Sequence, residues 1–344
     1  MADYEVDSYE VGSLADMDIP IYVLITPARN EAQHLEKTIN SVVRQTARPL
    51  RWVIVSDGST DATDEIVRRH AAQHAWIELV SLPKHEQRNF VGKVVAFNAG
   101  YARVVGLKFD VIGNLDGDVS FDDDYLAFLV SKFSDNRKLG VAGTPYREEN
   151  ARHDERFKSP DHVSGACQMF RRECFEEIGG YQPIRTGGID LIALLAAQAR
   201  GWQTKRYDEK FCLHHRNVGS GDHASIYARM LNRGKKDYLL GSHPAFEVFR
   251  SLNQMQTRPY IIGGVLMLIG YFRALLLGVD RSIPLELMHL RQRDQMYRLK
   301  QVLRHPFRHG AGRRSEPVNV KGSNASHTDN SSLSSDGSQA SVSR

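Results

Sequence analysis

Cysteine is scarce in this 344-residue sequence, and its few copies show no pairing pattern. The three cysteines, Cys167, Cys174 and Cys212, are odd in number and lack the close spacing of a zinc knuckle. The pattern argues against a disulfide framework and a structural zinc site, and a reducing compartment fits best. The first twenty residues contain six acidic residues and no Lys or Arg, which is the reverse of a signal peptide. We therefore expect a chain that is not exported.

A long uncharged run is also missing. The best candidate, Pro259 to Phe272, ends at Arg273 and is shorter than the roughly 20 residues that span a bilayer. The segment after it, residues 286–305, is predicted to be a basic amphipathic helix of the kind that lies in a membrane interface. A helical subdomain packed on the core is the alternative, and the sequence leaves both open.

Positive charge is concentrated near the C-terminus. Residues 250–314 contain twelve Lys or Arg and three Asp or Glu, a local charge of +9 in a chain whose formal net charge is +4. The remainder is therefore mildly acidic. The basic region lacks the aromatic interleaving, zinc ligands or helix-turn-helix pattern of a nucleic-acid site. We expect no nucleic-acid partner and favour an anionic membrane surface.

Short apolar runs alternate with amphipathic stretches from Ile21 onward. Continuous apolar strands separated by helices indicate right-handed crossovers and a mostly parallel, Rossmann-like α/β sheet with helices on both faces. In such sheets ligands bind beyond the carboxyl ends of the strands. The predicted strands are Ile21–Thr26, Arg51–Asp57, Trp76–Leu82 and Phe109–Asp116. The predicted helices are Glu31–Gln45, Thr60–His74 with Ser59 or Thr60 as its cap, and Gly92–Val105.

Changes in composition divide the chain into four segments. An acidic extension covers residues 1–19 and an α/β domain residues 20–221. A basic, helical, membrane-proximal region follows over residues 222–309, and a tail rich in Ser, Gly and Asn covers residues 310–344. We expect the tail to be disordered because it has almost no apolar residues to bury.

Two aspartates separated by one glycine follow the fourth predicted strand, in the stretch VIGNLDGDVSF. Asp116, Gly117 and Asp118 would meet the loops Thr26–Glu31 and Ser56–Asp61 in one crevice, because the carboxyl ends of parallel strands share one edge. Two carboxylates there repel each other unless a cation lies between them, and oxygen ligands of this kind suit Mg²⁺ or Mn²⁺. An ordinary Asp-Gly turn is the alternative.

Other polar residues follow strands or begin helices near this crevice. Asp57 ends the second strand and would accept hydrogen bonds from a nucleotide base, although an Asx turn also explains it. Asp61 is expected in the first turn of the next helix. Lys93 begins a helix where the dipole disfavours a cation, which favours a ligand role. Of His214 and His215, which follow a short strand, one could complete a metal shell while the other packs on the sheet.

The ordered set of motifs resembles the family 2 glycosyltransferases with the GT-A fold. The resemblance covers about Ile21 to Gly219 and rests on TPARNE, VSDGSTDAT, GKVVAFNAG, NLDGD, GACQMFRRECFEEIGGY, GGIDLIALLAAQARGW and LHHR. Each motif is weak by itself, but the combination in this order is specific. It implies metal-dependent transfer, with inversion, from a UDP- or GDP-sugar type of donor to a saccharide or lipid-linked saccharide. Exopolysaccharide, O-antigen or other cell-envelope glycan synthesis is the implied pathway.

The resemblance also implies roles for particular residues. Asp116 and Asp118 match the family's DXD motif for metal and donor, and His214 and His215 are the further candidates for metal ligands. The residues implied for donor binding are Pro27, Ala28, Asn30, Glu31, Asp57, Lys93, Asp116 and Gly117. Arg171 and Arg172 could clamp a phosphate, although an exposed helix start explains them nearly as well.

The catalytic base is the point at which this sequence departs from the family. Many members carry a Glu-Asp pair where this chain has Gly187 and Gly188, so the usual position of the base is vacant. Asp190 lies within one turn of it and is the predicted base, which would take the proton of the acceptor hydroxyl. The alternatives are that Asp190 caps the helix or contacts donor hydroxyls, and that Asp161 or another acid is the base.

Two other classes of protein remain open from the sequence. A nucleotidyltransferase also places a nucleotide near a metal-binding aspartate, but the stretch after the first strand, TPARNEAQH, is not the glycine-rich loop such enzymes normally have. A non-catalytic module that binds sugar nucleotides or membranes would fit the missing base. If the chain is a glycosyltransferase, we expect peripheral contact at the cytoplasmic face of the membrane. The oligomeric state is not predicted.

Overall fold

The computed structural model describes the chain in five ranges, residues 19–84, 90–148, 161–184, 186–216 and 225–304. The predicted tail, residues 310–344, lies outside these ranges, as do residues 1–18 of the predicted acidic extension. The strands are β1 (Tyr22–Ala28), β2 (Arg51–Asp57), β3 (Ile77–Leu82), β4 (Val111–Leu115), β5 (Val119–Ser120), β6 (Leu139–Gly143), β7 (Tyr146–Glu148), β8 (Cys167–Arg171), β9 (Gln203–Arg206) and β10 (Cys212–His214). The helices are α1 (Leu35–Val43), α2 (Thr63–Ala71), α3 (Phe90–Val104), α4 (Tyr125–Asp135), α5 (Arg172–Glu177), α6 (Ile189–Ala199), α7 (Ile226–Leu239), α8 (Pro244–Gln254), α9 (Tyr260–Leu276) and α10 (Leu285–Arg304).

The central sheet has seven strands in the order β3-β2-β1-β4-β8-β6-β9. Strands β3, β2, β1 and β4 are parallel neighbours, and β6 is parallel to β9. Strand β8 runs antiparallel to both β4 and β6. The predicted mostly parallel α/β sheet is therefore confirmed, and the carboxyl ends of β1, β2 and β4 share one edge.

Both faces of this sheet are covered by helices. Trp52 and Ile54 of β2 belong to the core layer with α1, α2 and α4, whereas Val53 and Val55 belong to the layer with α3, α5 and α6. All four side chains are buried because successive residues of a strand point to opposite faces. The indole N–H of Trp52 donates to Thr26 Oγ1 at 2.9 Å, so its polar atom is satisfied inside the core.

A second, three-stranded sheet lies beside the acidic pair. Its order is β5-β10-β7, in which β10 is antiparallel to β5 and parallel to β7. Strand β5 begins directly after Asp118, and its Val119 pairs with His214. The pairing therefore brings the end of β10 next to the carboxylates that follow β4.

The C-terminal helices pack on the large domain through α6 and α10. Ile283 and Leu287 lie in the same core layer as Ile192 of α6. Helix α9 packs closely on α7 at Gly270. An added Cβ atom there would lie only 2.0 Å from the carbonyl oxygen of Leu231. The described part of this region, residues 225–304, therefore packs on the core as helices, and membrane contact of the basic segment stays a prediction.

Helix α9 exposes an apolar stripe on the side away from α7. Ile261, Val265, Ile269 and Leu276 are between 40% and 85% exposed, whereas Met267 on the other side is fully buried. Spacings of four, four and seven residues place the four exposed side chains on one helix face. Among the described residues, no helix has the length and apolarity that crossing a bilayer requires.

The start of α2 differs from the prediction. The helix begins at Thr63, and Ala62 rather than Ser59 or Thr60 occupies the position before it. Asp61 accepts a hydrogen bond from the backbone N–H of Thr63 at 3.0 Å, so this aspartate lies in the loop and not in the first helical turn. Ser59 and Thr60 are used instead to hold a neighbouring loop.

Candidate active site

Asn30 joins the loops that follow β1 and β2. Its backbone N–H donates to Ser59 Oγ at 3.1 Å, and its side-chain oxygen accepts from the backbone N–H of Thr60 at 2.8 Å. The residue has φ of 55°, a left-handed conformation that asparagine tolerates better than most residues. The two loops therefore form one wall of the crevice.

Glu31 and Asp61 strengthen the same wall. The backbone N–H of Glu31 donates to Thr63 Oγ1 at 2.9 Å, and that of Ala32 donates to Asp61 Oδ2 at 3.0 Å. Burial acts to raise the pKa of Asp61, but the hydrogen bonds from Thr63 and Ala32 outweigh it and lower the pKa. Asp61 is therefore ionised near neutral pH and has a structural role.

The predicted donor-binding residues at the ends of β1 and β2 lie together. Ala28 is buried and pairs with Ser56, and Pro27 before it is half-buried. Asp57 ends β2 with 8% of its surface exposed, and its Oδ2 lies 3.9 Å from Nη1 of Arg29. A carboxylate in this place can accept hydrogen bonds from a bound nucleotide, as the sequence predicted.

Asp116, Asp118 and His214 form a three-membered cluster at the end of β4. One possible ligand atom of each lies within 4.8 Å of the others, and His214 Nε2 is 3.4 Å from Asp118 Oδ1. Gly117 packs against Glu31 and Leu35, where an added Cβ would lie 3.4 Å from a carbon of each. A side chain at this position would therefore press on the wall that holds Glu31.

Lys93 contacts the acidic pair directly. Its Nζ lies 2.6 Å from Asp116 Oδ1, so Lys93 is part of the candidate site, and its predicted contact with a ligand stays a prediction. Burial raises the pKa of Asp116, while Lys93 counteracts this shift and the charge of Asp118 adds to it. Burial acts to lower the pKa of Lys93, but the charges of Asp116, Asp190 and Asp118 outweigh it and raise the pKa.

The two histidines have different surroundings. His214 Nδ1 is within hydrogen-bond distance of the carbonyl oxygen of Arg216, which leaves Nε2 on the side of Asp118. His215 lies outside the cluster, because its Nε2 is 2.9 Å from Ser120 Oγ and its ring stacks on His34 at 6.0 Å between centroids. Of the two predicted metal ligands, the geometry thus brings His214 alone to the aspartates.

Arg216 belongs to the site, although the sequence reading gave it no role. Its Nη2 contacts a carboxylate oxygen of Glu31, and its Nε lies 3.6 Å from Asp118 Oδ2. The side chain therefore connects the loop after β1 with the DXD segment. The signal for it was present in LHHR, since a cation directly after the histidine pair sits at the same strand end.

Asp190 approaches the same crevice from α6. It is the second residue of that helix, after Gly187 and Gly188 with φ of 74° and 88°. An added Cβ at Gly165 would lie 3.2 Å from Asp190 Oδ2, so this glycine packs directly against the carboxylate. Gly188 occupies the cap position without a side-chain hydrogen bond, which argues against Asp190 as the cap. The backbone N–H of Asp116 donates to the carbonyl oxygen of Ala166 at 2.9 Å, which brings the segment beside Asp190 next to the acidic pair.

The alternative base and the two predicted phosphate clamps lie elsewhere. Asp161 is exposed, and it lines the same cavity as Asp294 of α10. Arg171 donates to backbone carbonyl groups, including that of Phe133 at 2.6 Å. Arg172 likewise donates to the carbonyl oxygen of Leu107 at 2.8 Å. The arginine pair therefore ties loops to the sheet, and a phosphate-clamp role is not supported.

Two carboxylates and one imidazole are a donor set that suits a divalent cation. Asp118 is 7% exposed and Asp116 is half-buried, so their charges are costly without a positive partner. Lys93 and Arg216 each neutralise part of this charge, but Glu31 adds a third carboxylate. The residues present therefore fit a bound divalent cation, with Asp190 on a neighbouring wall.

Comparison with known families agrees with this geometry. Residues 23–161 match the model of glycosyl transferase family 2. These residues form a glycosyl transferase family 2 domain. The matched residues run from β1 through the DXD segment, and Asp190 and His214 lie beyond them.

Relatives of this glycosyltransferase include proteins named for polysaccharide synthesis. The succinoglycan biosynthesis protein ExoA of Rhizobium meliloti is 24% identical over 291 residues, covering 75% of this chain and 81% of ExoA. A chondroitin synthase of Pasteurella multocida is 26% identical over 132 residues, which are 38% of this chain and only 13% of that longer protein. The second likeness is therefore confined to a single part of a larger protein.

A solved structure supports the assignment of the fold. The mannosyltransferase PcManGT from Pyrobaculum calidifontis, in complex with GDP-Man and Mn²⁺, superposes with a TM-score of 0.50 at 19% identity. The superposition covers 84% of this chain and 82% of PcManGT. The glycosyltransferase thus has the GT-A type of α/β fold that its motifs predicted.

Proposed function

We propose that this glycosyltransferase transfers a sugar, with inversion, from a nucleotide-diphosphate sugar to a saccharide or lipid-linked saccharide. The observation that carries the proposal is the cluster of Asp116, Asp118 and His214 at the end of β4. Asp190 lies beside Gly165, and the next residue along the chain, Ala166, accepts the backbone hydrogen bond of Asp116. The names of ExoA and the chondroitin synthase support a role in the synthesis of an extracellular polysaccharide.

The donor would lie across the ends of β1, β2 and β4. Asp57 and Asn30 would contact base and ribose, while Asp116, Asp118 and His214 would hold Mg²⁺ or Mn²⁺. The bound cation would neutralise charge that develops on the departing diphosphate. Lys93 adds a positive charge beside Asp116 and lowers the same electrostatic cost.

Asp190 would remove the proton from the acceptor hydroxyl. The hydroxyl oxygen then forms the new bond to the anomeric carbon, while the bond from that carbon to the diphosphate oxygen breaks on the opposite face. Because the attack is direct, the configuration at the anomeric carbon inverts. Gly187 and Gly188, which stand where many family members carry a Glu-Asp pair, directly precede α6, and Gly165 packs against Asp190.

The C-terminal helices support peripheral contact with an anionic membrane at its cytoplasmic face. Ile261, Val265 and Ile269 of α9 form an exposed apolar stripe, and Arg273 is exposed on the same helix. Burial of such a stripe at the lipid interface adds to the attraction of basic residues, which contribute roughly 1 kcal/mol each near an anionic leaflet. A lipid-linked acceptor would be available at that surface.

A panel of UDP- and GDP-sugars, each with and without Mn²⁺, tests the proposed reaction. We expect one donor to raise the melting temperature only with Mn²⁺, because a ligand that binds the native state stabilises it. The same donor should slowly release nucleoside diphosphate. Release of sugar 1-phosphate would instead indicate a nucleotidyltransferase, and no effect of any donor would contradict the proposal.

A further inference from the structure

A large cavity lies between the edge of the α/β domain and the C-terminal helices. Its volume is about 990 Å³, and four arginines from α7, α8 and α10 line it. These are Arg233, Arg250, Arg291 and Arg298. An apolar part of the lining comes from α6 and the residue before β9, with Leu191, Leu194, Leu195 and Trp202. The cavity thus offers a basic surface and an apolar surface to one ligand.

Two of the arginines are held by the protein itself. Arg250 Nη1 lies 2.7 Å from both carboxylate oxygens of Asp237. Arg291 donates to the carbonyl oxygen of Leu240 at 2.6 Å and lies 3.7 Å from the same aspartate. One carboxylate therefore serves two guanidinium groups. These contacts fix the arginines in place and leave a positive excess.

Arg233 has a different environment. Its Nη1 donates to Gln254 Oε1 at 3.2 Å, and no carboxylate of the described residues lies within ion-pair distance. The side chain is exposed to solvent in the open cavity. The charge of Arg250 lowers the pKa of Arg233 to about 10, which still leaves the group charged at neutral pH.

The acids near this cavity do not cancel its charge. Asp294 is paired with Arg298 at 2.7 Å, and Asp161 lies beside Asp294. Burial raises the pKa of Glu247 to about 8, so that most of this group is uncharged at pH 7. An accessible positive excess beside an apolar wall fits an anionic group attached to an apolar chain.

Two residues connect the cavity with the catalytic crevice. The ring of Tyr146 lines the cavity, and its centroid is 5.7 Å from that of His214. Leu191 lines it as well and directly follows Asp190 in α6. Helix α9, with its exposed apolar stripe, packs on both α7 and α8. The cavity therefore lies between the catalytic crevice and the helices next to the proposed membrane surface.

We infer that this cavity binds the diphosphate of a lipid-linked acceptor, with Arg233 as the residue that contacts the phosphate and the leucine wall beside the first part of the lipid chain. The inference rests on the proposed function, because it assumes an acceptor whose sugar reaches Asp190. It assigns the cavity to the acceptor and separates it from the donor site at Asp116 and Asp118.

Binding of farnesyl diphosphate in the presence of EDTA tests the inference. EDTA removes divalent cations, so diphosphate binding at the DXD segment is suppressed and the cavity is measured alone. We expect calorimetric binding of farnesyl diphosphate, weaker binding of inorganic diphosphate and none of farnesol. Binding of inorganic diphosphate without binding of farnesyl diphosphate would overturn the acceptor assignment, as would equal binding of farnesol.

Matched variants locate the binding. Arg233→Gln should raise the dissociation constant about tenfold or more, because a charge-assisted hydrogen bond is lost. Lys235→Gln removes the same charge from an exposed position of α7 outside the cavity lining and should change little. Asn253→Asp adds a negative charge to the lining and should weaken binding similarly. Equal affinity in wild type and all three variants would refute the site.

A readout of donor turnover separates this inference from the proposed function. Arg233→Gln should retain Mn²⁺-dependent release of nucleoside diphosphate from the donor and should raise KM for a lipid-linked acceptor. If wild-type protein turns over no donor, the proposed function fails regardless of the EDTA result. If donor turnover is normal but farnesyl diphosphate does not bind, the acceptor assignment alone fails.

Discussion

The candidate active site and the arginine cavity of this glycosyltransferase carry an excess of charge of opposite sign. At the end of β4 the carboxylates outnumber the cations, with Glu31, Asp116 and Asp118 against Lys93 and Arg216. Between α7, α8 and α10 the arginines outnumber the acids that contact them, Asp237 and Asp294. Each imbalance is costly unless a ligand of opposite charge binds, so the first region suits a metal cation and the second a phosphate anion.

The largest effect on activity is expected from a substitution in the acidic region. Asp118→Asn should reduce kcat/KM by a factor on the order of 10³, because it removes a charged cation ligand from the transition state. Folding should be retained, since the isosteric amide fills the same space. The measurement is transfer rate against Mn²⁺ concentration, with thermal unfolding as the check on folding. Wild-type activity in this variant would remove the basis of the cation site.

Substitution of the base should have the next largest effect. Asp190→Asn should lower kcat by about 10²- to 10⁴-fold, the range that general base catalysis contributes. Donor affinity, measured by calorimetry with Mn²⁺, should be unchanged because the cation ligands remain. Asp161→Asn is the matched control and should keep near-normal turnover. The reverse result, with activity lost only in the control, would transfer the role of base to Asp161.

The rigidity of the helical region can be tested at the contact between α7 and α9. Gly270→Ala should lower the free energy of unfolding by about 2 kcal/mol, because the added methyl group collides with the backbone of Leu231. Gly106→Ala is the control, since an added Cβ there meets nothing within 4 Å. Urea unfolding curves of both variants give the values. Equal stability would mean that the helices separate at little cost.

The proposed membrane surface should respond to charge on α9. Ile269→Asp should weaken binding to vesicles containing phosphatidylglycerol about tenfold, because an exposed apolar side chain that would be buried in lipid is lost. Leu50→Asp places the same charge on an exposed leucine of the α/β domain and should leave binding unchanged. Cosedimentation at low salt measures both. If wild-type protein fails to sediment with these vesicles, peripheral contact is disproved.

The last prediction concerns the pH dependence of stability in the helical region. Glu247 has a folded-state pKa of about 8 against its ordinary 4.5, so the folded protein holds this proton more tightly. Its contribution to stability is complete below about pH 4.5 and is lost as the pH rises to about 8, with a slope of up to about 1 kcal/mol per pH unit. Glu247→Gln should flatten this part of the curve. Parallel curves for both proteins would contradict the assignment.

Much of the α/β domain was predictable because the apolar runs in the sequence coincide with the strands of the sheet. The predicted strand Arg51–Asp57 has the observed bounds, and the carboxylates of Asp116 and Asp118 follow β4 as expected. Continuous burial explains this success, since both faces of each strand are covered and the apolar runs mark the strands clearly. The predicted start of α2 was wrong because Ser59 and Thr60 form hydrogen bonds with Asn30 of another loop instead of capping the helix.

Residues that meet through long-range pairing could not be placed from sequence alone. The choice between His214 and His215 depends on the register of β10 against β5, whose partners lie about 95 positions apart. Arg216 contacts Glu31 across an even longer separation. The arginine cavity likewise depends on how α7, α8 and α10 pack, which composition does not encode. In the sequence, its residues look like an ordinary excess of basic charge.

The antiparallel pairing of β5 and β10 has a consequence for the evolution of donor specificity in such enzymes. Val119 pairs with His214, and the backbone N–H of His215 donates to the carbonyl oxygen of Asp118 at 2.9 Å. Main-chain bonds thus set the separation between imidazole and carboxylates, independently of the loops that surround the nucleotide. Substitutions in those loops can alter donor choice over evolutionary time without disturbing the spacing on which the chemistry depends.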